Sequence, residues 1–243
     1  MKKLFFLLLF SFCFSQNKTV LTEYPKNQSS YVGGLEQYYK DINTYIINNN
    51  IKPCTNPNEF YQFDVLITPE ENIKFIKERN QKYVEQNKCA YELARAAAKV
   101  QTGWQAAEYY GKKVNAVDSF IIYPADLFEK YYDGYTPKIF YPTFGDNPND
   151  NLEYFGKELI SKLDLRPYIW NDIFTVESEF TITKDGKMKD IIMTKSSGME
   201  AFDKMIIFAY KDIRKRWKPA VINGVTVEYR MKYTLRATTE TKY

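Results

Sequence analysis

Trp217-Lys218-Pro219-Ala220-Val221-Ile222-Asn223-Gly224-Val225-Thr226-Val227 is the stretch that decides how this chain is read. Asn223-Gly224 marks a tight turn. After it Val225, Val227, Tyr229, Met231, Tyr233 and Leu235 alternate with Thr226, Glu228, Arg230, Lys232 and Thr234, the period of a half-buried strand. Upstream, Phe202, Met205, Ile206, Ala209 and Ile213 recur at helical spacing, with Lys211, Arg214, Lys215 and Arg216 where cations complement a helix C-terminus; Trp217 and Pro219 are expected to stop that helix. Further back, Val176, Ser178, Phe180 and Ile182 alternate with Thr175, Glu177, Glu179 and Thr181. Asp185-Gly186 then supplies a turn, and Met188, Ile191 and Met193 form a return strand. The spacing of those three residues changes from three to two, which predicts a bulge between Met188 and Ile191.

The order strand, Asp185-Gly186, strand, Ser196-Ser197-Gly198 with Phe202-Asp203, helix, Trp217-Lys218-Pro219-Ala220, Asn223-Gly224-Val225, strand resembles the C-terminal domain of TonB over Leu152 to about Arg236. The resemblance implies an α+β fold in which a small antiparallel three-stranded sheet carries two helices on one face. It implies that Asp185, Gly186, Ser196, Ser197, Gly198, Trp217, Pro219, Asn223 and Gly224 are structural motif positions. It also implies that the last strand pairs with an extended segment of an outer-membrane TonB-dependent receptor or another envelope protein. On that reading Val225, Thr226, Val227, Glu228, Tyr229, Arg230, Met231 and Lys232 are the partner-binding residues.

Met1 to Ser15 reads as an export signal. Lys2-Lys3 precede an apolar run from Leu4 to Phe14 too short to cross a membrane, and Cys13-Phe14-Ser15 suits cleavage before Gln16. The expected location is the periplasm, possible association with the outer membrane included. Loss of Lys2 and Lys3 lowers the formal charge from +4 to about +2, which points to neither nucleic acid nor an anionic membrane as partner. The chain contains no histidine, which excludes Ser-His-Asp and Cys-His catalysis and histidine metal sites. Asp185, Asp190, Glu200 and Asp203 each fall at a turn, a strand exit or a helix start, where carboxylates have structural uses. The expectation is a non-catalytic binding module with no cofactor, metal or small-molecule substrate.

The series repeats within the chain. A helical segment from Leu35 to about Asn48 ends in Ile51-Lys52-Pro53, and one from Leu152 to Leu163 ends in Leu165-Arg166-Pro167. Pro53 and Trp104 are spaced almost as Pro167 and Trp217 are; Trp104 to Gly111 and Trp217 to Gly224 are spaced identically. Phe63, Val65 and Ile67 alternate, Ile73 to Ile76 make the return, and Cys89, Leu93, Ala94, Ala97 and Val100 give a helix face. Two tandem TonB C-terminal-like domains are therefore expected, a degenerate one over 31–123 and a second over 152–236, joined by a linker over 124–151. Gly111 and Trp104 are the structural counterparts in the first. Thr68-Pro69-Glu70-Glu71-Asn72 replaces its Asp-Gly turn, no Ser-Ser-Gly precedes its helix, and its last strand, Val114 to Tyr123, breaks alternation at Asp118-Ser119. The stretch 135–151 is too short and too aromatic to be the Pro-rich spacer of TonB, and that departure puts energy transduction itself in question.

Cys54 lies just before the first strand of the first hairpin and Cys89 just after the second. Antiparallel pairing brings both to one end of the sheet, so a disulfide is expected. The alternative to receptor pairing is a structural or interaction protein in which the two copies pack together and the edge is not used; a homodimer is a further option.

Overall fold

The computed structural model describes residues 19–145, 151–168 and 173–237; the expected export signal lies outside them. The protein is α+β, with six helices and several small sheets among the described residues. It divides into two compact units, Met1–Arg79 with Lys88–Gly134, and Asn80–Asn87 with Tyr135–Tyr243.

In the first unit, β1 (Val20–Leu21) precedes α1 (Gly34–Asn48), β2 (Tyr61–Ile67) and β3 (Ile73–Phe75). The short α2 (Gln81–Gln86) groups with the second unit; α3 (Lys88–Ala98), β4 (Ala107–Tyr109), β5 (Lys112–Ile122) and α4 (Pro124–Glu129) complete the first. Strand order is β1-β5-β2-β3, with β4 also on β5. The sheet differs from the expected three antiparallel strands because β1 adds to β5 in parallel. Asp118 and Ser119 do not interrupt β5; Ser119 Oγ donates to Asp64 Oδ1 across the β2 ladder at 2.6 Å. Tyr61, Phe63, Val65 and Ile67 alternate inward from β2, and Ala90, Ala94, Ala97 and Ala98 are buried on α3. Small helix residues leave room there for aromatic sheet residues.

In the second unit the elements are β6 (Ile139–Phe140), β7 (Thr143–Phe144), α5 (Asn151–Ser161), β8 (Phe174–Ile182), β9 (Met188–Lys195), α6 (Glu200–Asp212), β10 (Trp217–Lys218), β11 (Ala220–Ile222), β12 (Val225–Val227) and β13 (Tyr229–Ala237). The main sheet is antiparallel with order β13-β8-β9, and Phe155 and Leu159 of α5 and Phe202, Ile206, Ala209 and Tyr210 of α6 share one core with Val176, Phe180, Ile182 and Leu235. The register steps from Thr181↔Lys189 to Glu179↔Ile192, so Asp190 and Ile191 oppose Phe180; this is the bulge the spacing predicts, with Asp190 at φ 52°. Helix α6 stops at Asp212 rather than at Trp217, because Ile213 is already extended (ψ 113°); the extended exit buries both Ile213 and Trp217.

One expectation is corrected. Val225 to Leu235 is not one strand. The chain changes partner at Glu228: β12 pairs with β11, and β13 pairs with β8 along its whole length, from Tyr229↔Ile182 to Ala237↔Phe174. Strict alternation reports which face of a strand a residue occupies, not which strand it pairs with. Within 124–151, the expected linker, lie α4 and the short strands β6 and β7.

Candidate partner-binding edge

Strand β13 is an end strand of its sheet. Among the described residues no strand pairs with its outer side. Leu235 is buried and Met231 and Tyr233 lean on the core, while Lys232 and Thr234 are exposed on the opposite face. Glu228, at the partner change, receives a 2.5 Å ion pair from Lys189 Nζ of β9. Two aromatic rings attend the start of the strand: Tyr141 meets Tyr229 edge-on at 5.8 Å, and the Arg230 guanidinium lies 5.4 Å from the Tyr83 ring of α2. Of the expected partner-binding residues, Tyr229, Arg230, Met231 and Lys232 share this edge strand, whereas Val225, Thr226 and Val227 belong to the small sheet β12-β11-β6.

The motif residues meet each other rather than a ligand. Gly186 has φ 78°, and its carbonyl accepts the Trp217 N–H at 2.9 Å; a Cβ on Gly186 would lie 2.0 Å from the Trp217 carbonyl oxygen. Only glycine allows both that φ and that approach. Beside it, Lys187 and Thr183 hydrogen-bond the Asp185 carboxylate and hold its pKa down to about 2, and Arg216 adds contacts to the Asp185 carbonyl and carboxylate. Trp217 is 3% exposed, with ring centroids of Phe144, Phe155 and Phe180 at 5.0, 5.3 and 5.8 Å. Asn223 and Gly224, at φ 49° and 84°, form the hairpin turn; Asn223 exchanges backbone and side-chain bonds with Lys138, which ties the turn to the start of β6. Pro219 separates β10 from β11.

Ser196 and Ser197 both donate to the carboxylate of Asp203 in the first turn of α6, at 2.5 and 2.6 Å, and the Ser197 N–H joins them at 3.0 Å. Gly198, at φ 87°, turns the chain into the helix. Burial acts to raise the Asp203 pKa, but the bonds from Ser196 and Ser197 outweigh it and the net shift is downward. A depressed carboxylate contributes stability that is present above its unfolded pKa of about 4 and is lost as pH falls through the lower folded value. The second unit should therefore lose stability on acidification below about pH 4, and Asp203→Asn should flatten that dependence. Amide exchange of α6 measured across this range checks it; an unchanged pH slope in D203N would show that the cap does not carry the effect.

In the first unit, Trp104 is 3% exposed among Tyr31, Tyr38 and Phe120, and Tyr110-Gly111 form its turn at φ 49° and 71°. Cys54 and Cys89 are bonded to each other with Cα atoms 5.8 Å apart. The Glu59 carboxylate lies within 4.8 Å of both sulfurs and accepts the Ala90 N–H at the start of α3 at 3.0 Å.

Sequence reasoning missed Phe144, which bridges to Trp217 through β7 and packs on its ring, and Gly156, where a Cβ would meet the Tyr233 hydroxyl at 2.3 Å. The signal for Phe144 was present. Tyr31 bridges to Trp104 in the same antiparallel way, and both tyrosine and phenylalanine stand equally far before their tryptophans.

The second unit is thus a small α+β domain whose motif residues build the fold, with Asp185 committed to a turn, Asp203 to a helix start and Glu228 to an ion pair. Residues 175–236 match the family described as Gram-negative bacterial TonB protein C-terminal, a non-catalytic interaction domain of periplasmic type. No curated protein and no solved structure gives a match. No helix among the described residues is long and apolar enough to cross a membrane.

Proposed function

We propose that this protein is an exported periplasmic binding module, released from its leader after Ser15, in which β13 takes up an extended segment of an outer-membrane transport receptor or another envelope protein by strand addition. The observation that carries the reading is the state of the sheet edge. The lead-in of the second unit pairs as β6 with β11 and leaves the outer side of β13 without a paired strand among the described residues. Added strands draw affinity from backbone bonds and selectivity from alternate side chains; Arg230 and Lys232 favour an acidic segment.

We further propose that the first unit is a degenerate copy of the second. Each unit pairs its last long strand with a central strand in the same register: Ile67↔Ala116, Val65↔Asp118 and Tyr61↔Ile122 correspond to Ile182↔Tyr229, Phe180↔Met231 and Val176↔Leu235. The hairpin pair Ala107↔Val114 likewise corresponds to Ala220↔Val227, and buried Ile42 and Ile46 to Phe155 and Leu159.

The test uses mature protein from a cell-envelope fraction, whose mass reports whether the chain starts at Gln16. Receptor-derived peptides are titrated while its amide signals are followed. Shifts should centre on 229–237; Arg230→Pro should abolish them by removing a backbone donor, and Arg230→Ala should only weaken binding. A second reading, that the edge is not used for a partner, draws on the Tyr83 ring beside Arg230. Absence of shifts in β13 with any receptor segment would favour it.

A further inference from the structure

The two units treat the same edge differently. In the second, the outer side of β13 has no paired strand among the described residues, whereas in the first the corresponding side of β5 carries β1, with Val20↔Asn115 and Leu21↔Ala116 in parallel register. The position that faces β1 needs a partner: Asn115 and Ala116 are both buried, one of them directs its backbone groups to β1, and a buried backbone group left unbonded is costly.

The hold of β1 itself is slight. It pairs at two positions in the less stable parallel manner, and Val20 is 52% exposed. Firm attachment begins further along. The Gln28 side chain exchanges two bonds with the Glu108 backbone on β4, Nε2 to the carbonyl at 2.9 Å and N–H to Oε1 at 2.8 Å, and Tyr24 Oη donates to the Gln105 carbonyl at 3.0 Å. A weakly paired strand on a well-anchored tether is a plug: the tether keeps it at an effective concentration on the order of millimolar, yet few bonds must break for it to leave.

We infer that Val20–Leu21 is a built-in occupant of a second strand-accepting edge, on β5, and that its displacement opens this edge to an extended segment of a partner polypeptide running parallel to β5 with aliphatic residues at the positions of Val20 and Leu21. This rests on the proposed correspondence of the two units and is independent of whether β13 binds a receptor. While seated, β1 also shields the chain from edge-to-edge association.

The experiment compares the full mature chain with Val20→Pro/Leu21→Pro, which removes both backbone donors of β1. The probe is a synthetic peptide of residues 19–24. In the variant, exchange protection should fall at the one of the adjacent Asn115 and Ala116 amides that faces β1, while that of the β2 and β5 partners Phe63 and Phe120 persists. The peptide should shift the amides of 113–117 and bind about tenfold or more tighter than to the unsubstituted chain, where the tethered segment competes. If the double variant does not fold, L21P alone is measured in the same way. Equal affinity for both chains, no binding to the variant, or shifts confined to 229–237 would each overturn the inference. A receptor peptide that shifts 229–237 equally in both chains tests the β13 reading separately.

Discussion

Trp217→Ala should cost the second unit about 3–5 kcal/mol, a large share of what a small domain possesses. The indole is surrounded by Phe144, Phe155 and Phe180, so its removal strips contacts from three elements, β7, α5 and β8, at once. The Trp217 backbone N–H, which donates to the Gly186 carbonyl, is kept in the alanine variant, so the loss is one of side-chain packing. Gly186→Ala should destabilise by a separate route, the clash with the Trp217 backbone carbonyl and strain at φ 78°. Because the two residues are in contact, the double variant should depart from the sum of the two single losses. Urea unfolding of the full chain, with amide exchange read separately in β8 and β5, checks this. Loss confined to β8 and its neighbours is expected, and a second unit that unfolds at the unsubstituted urea midpoint in W217A would refute the anchoring role. The Trp217 Nε1 finds no acceptor among the described residues, so no hydrogen bond is lost with the indole.

The hairpin β8–β9 was legible because two local signals agree there: alternation gives the strands, and Asp185-Gly186 supplies a φ that few other residues tolerate. Even the bulge was visible, since Met188, Ile191 and Met193 cannot all face inward without an extra residue. The partner change at Glu228 was not legible. Alternation records faces, and nothing in Val227-Glu228-Tyr229 says that the hydrogen bonds move from β11 to β8. Phe144 was hidden by its surroundings, since Pro137, Pro142 and Gly145 read as a linker although the bridge to Trp217 needs only two residues.

On the proposed correspondence of the units, an exchange of volume obscures their likeness. On that proposal, aligning the buried Ala90, Ala94, Ala97 and Ala98 of α3 with Phe202, Ile206, Ala209 and Tyr210 of α6 sets Phe63 and Ala98 against Ser178 and Tyr210, whose hydroxyls hydrogen-bond to each other. Volume kept in sum but moved between layers preserves a core while erasing residue identity. At the candidate edge, the side-chain alternation of β13 could be read, but not the approach of Tyr83 to Arg230, because a contact so distant in sequence leaves no local period.

Replacing both Cys54 and Cys89 with serine should lower the stability of the first unit by about 3–4 kcal/mol, the chain-entropy cost of releasing a loop of this size. The bond joins residues separated by 35 positions and links the segment entering β2 to the first turn of α3, so the unfolded chain gains most of that loop's freedom when it is cut. The sheet ladder between β2 and β5 does not depend on it, and the unit should still fold. Glu59, which caps the Ala90 N–H beside the two sulfurs, keeps α3 started in the serine variant, so the loss should stay near the entropic value. The measurement is thermal unfolding of the full chain with and without a reductant: reduction should lower the first-unit transition about as far as C54S/C89S does, and the serine variant should no longer respond. Two free thiols titrated in denatured, unreduced mature protein would show that the chain does not carry the bond.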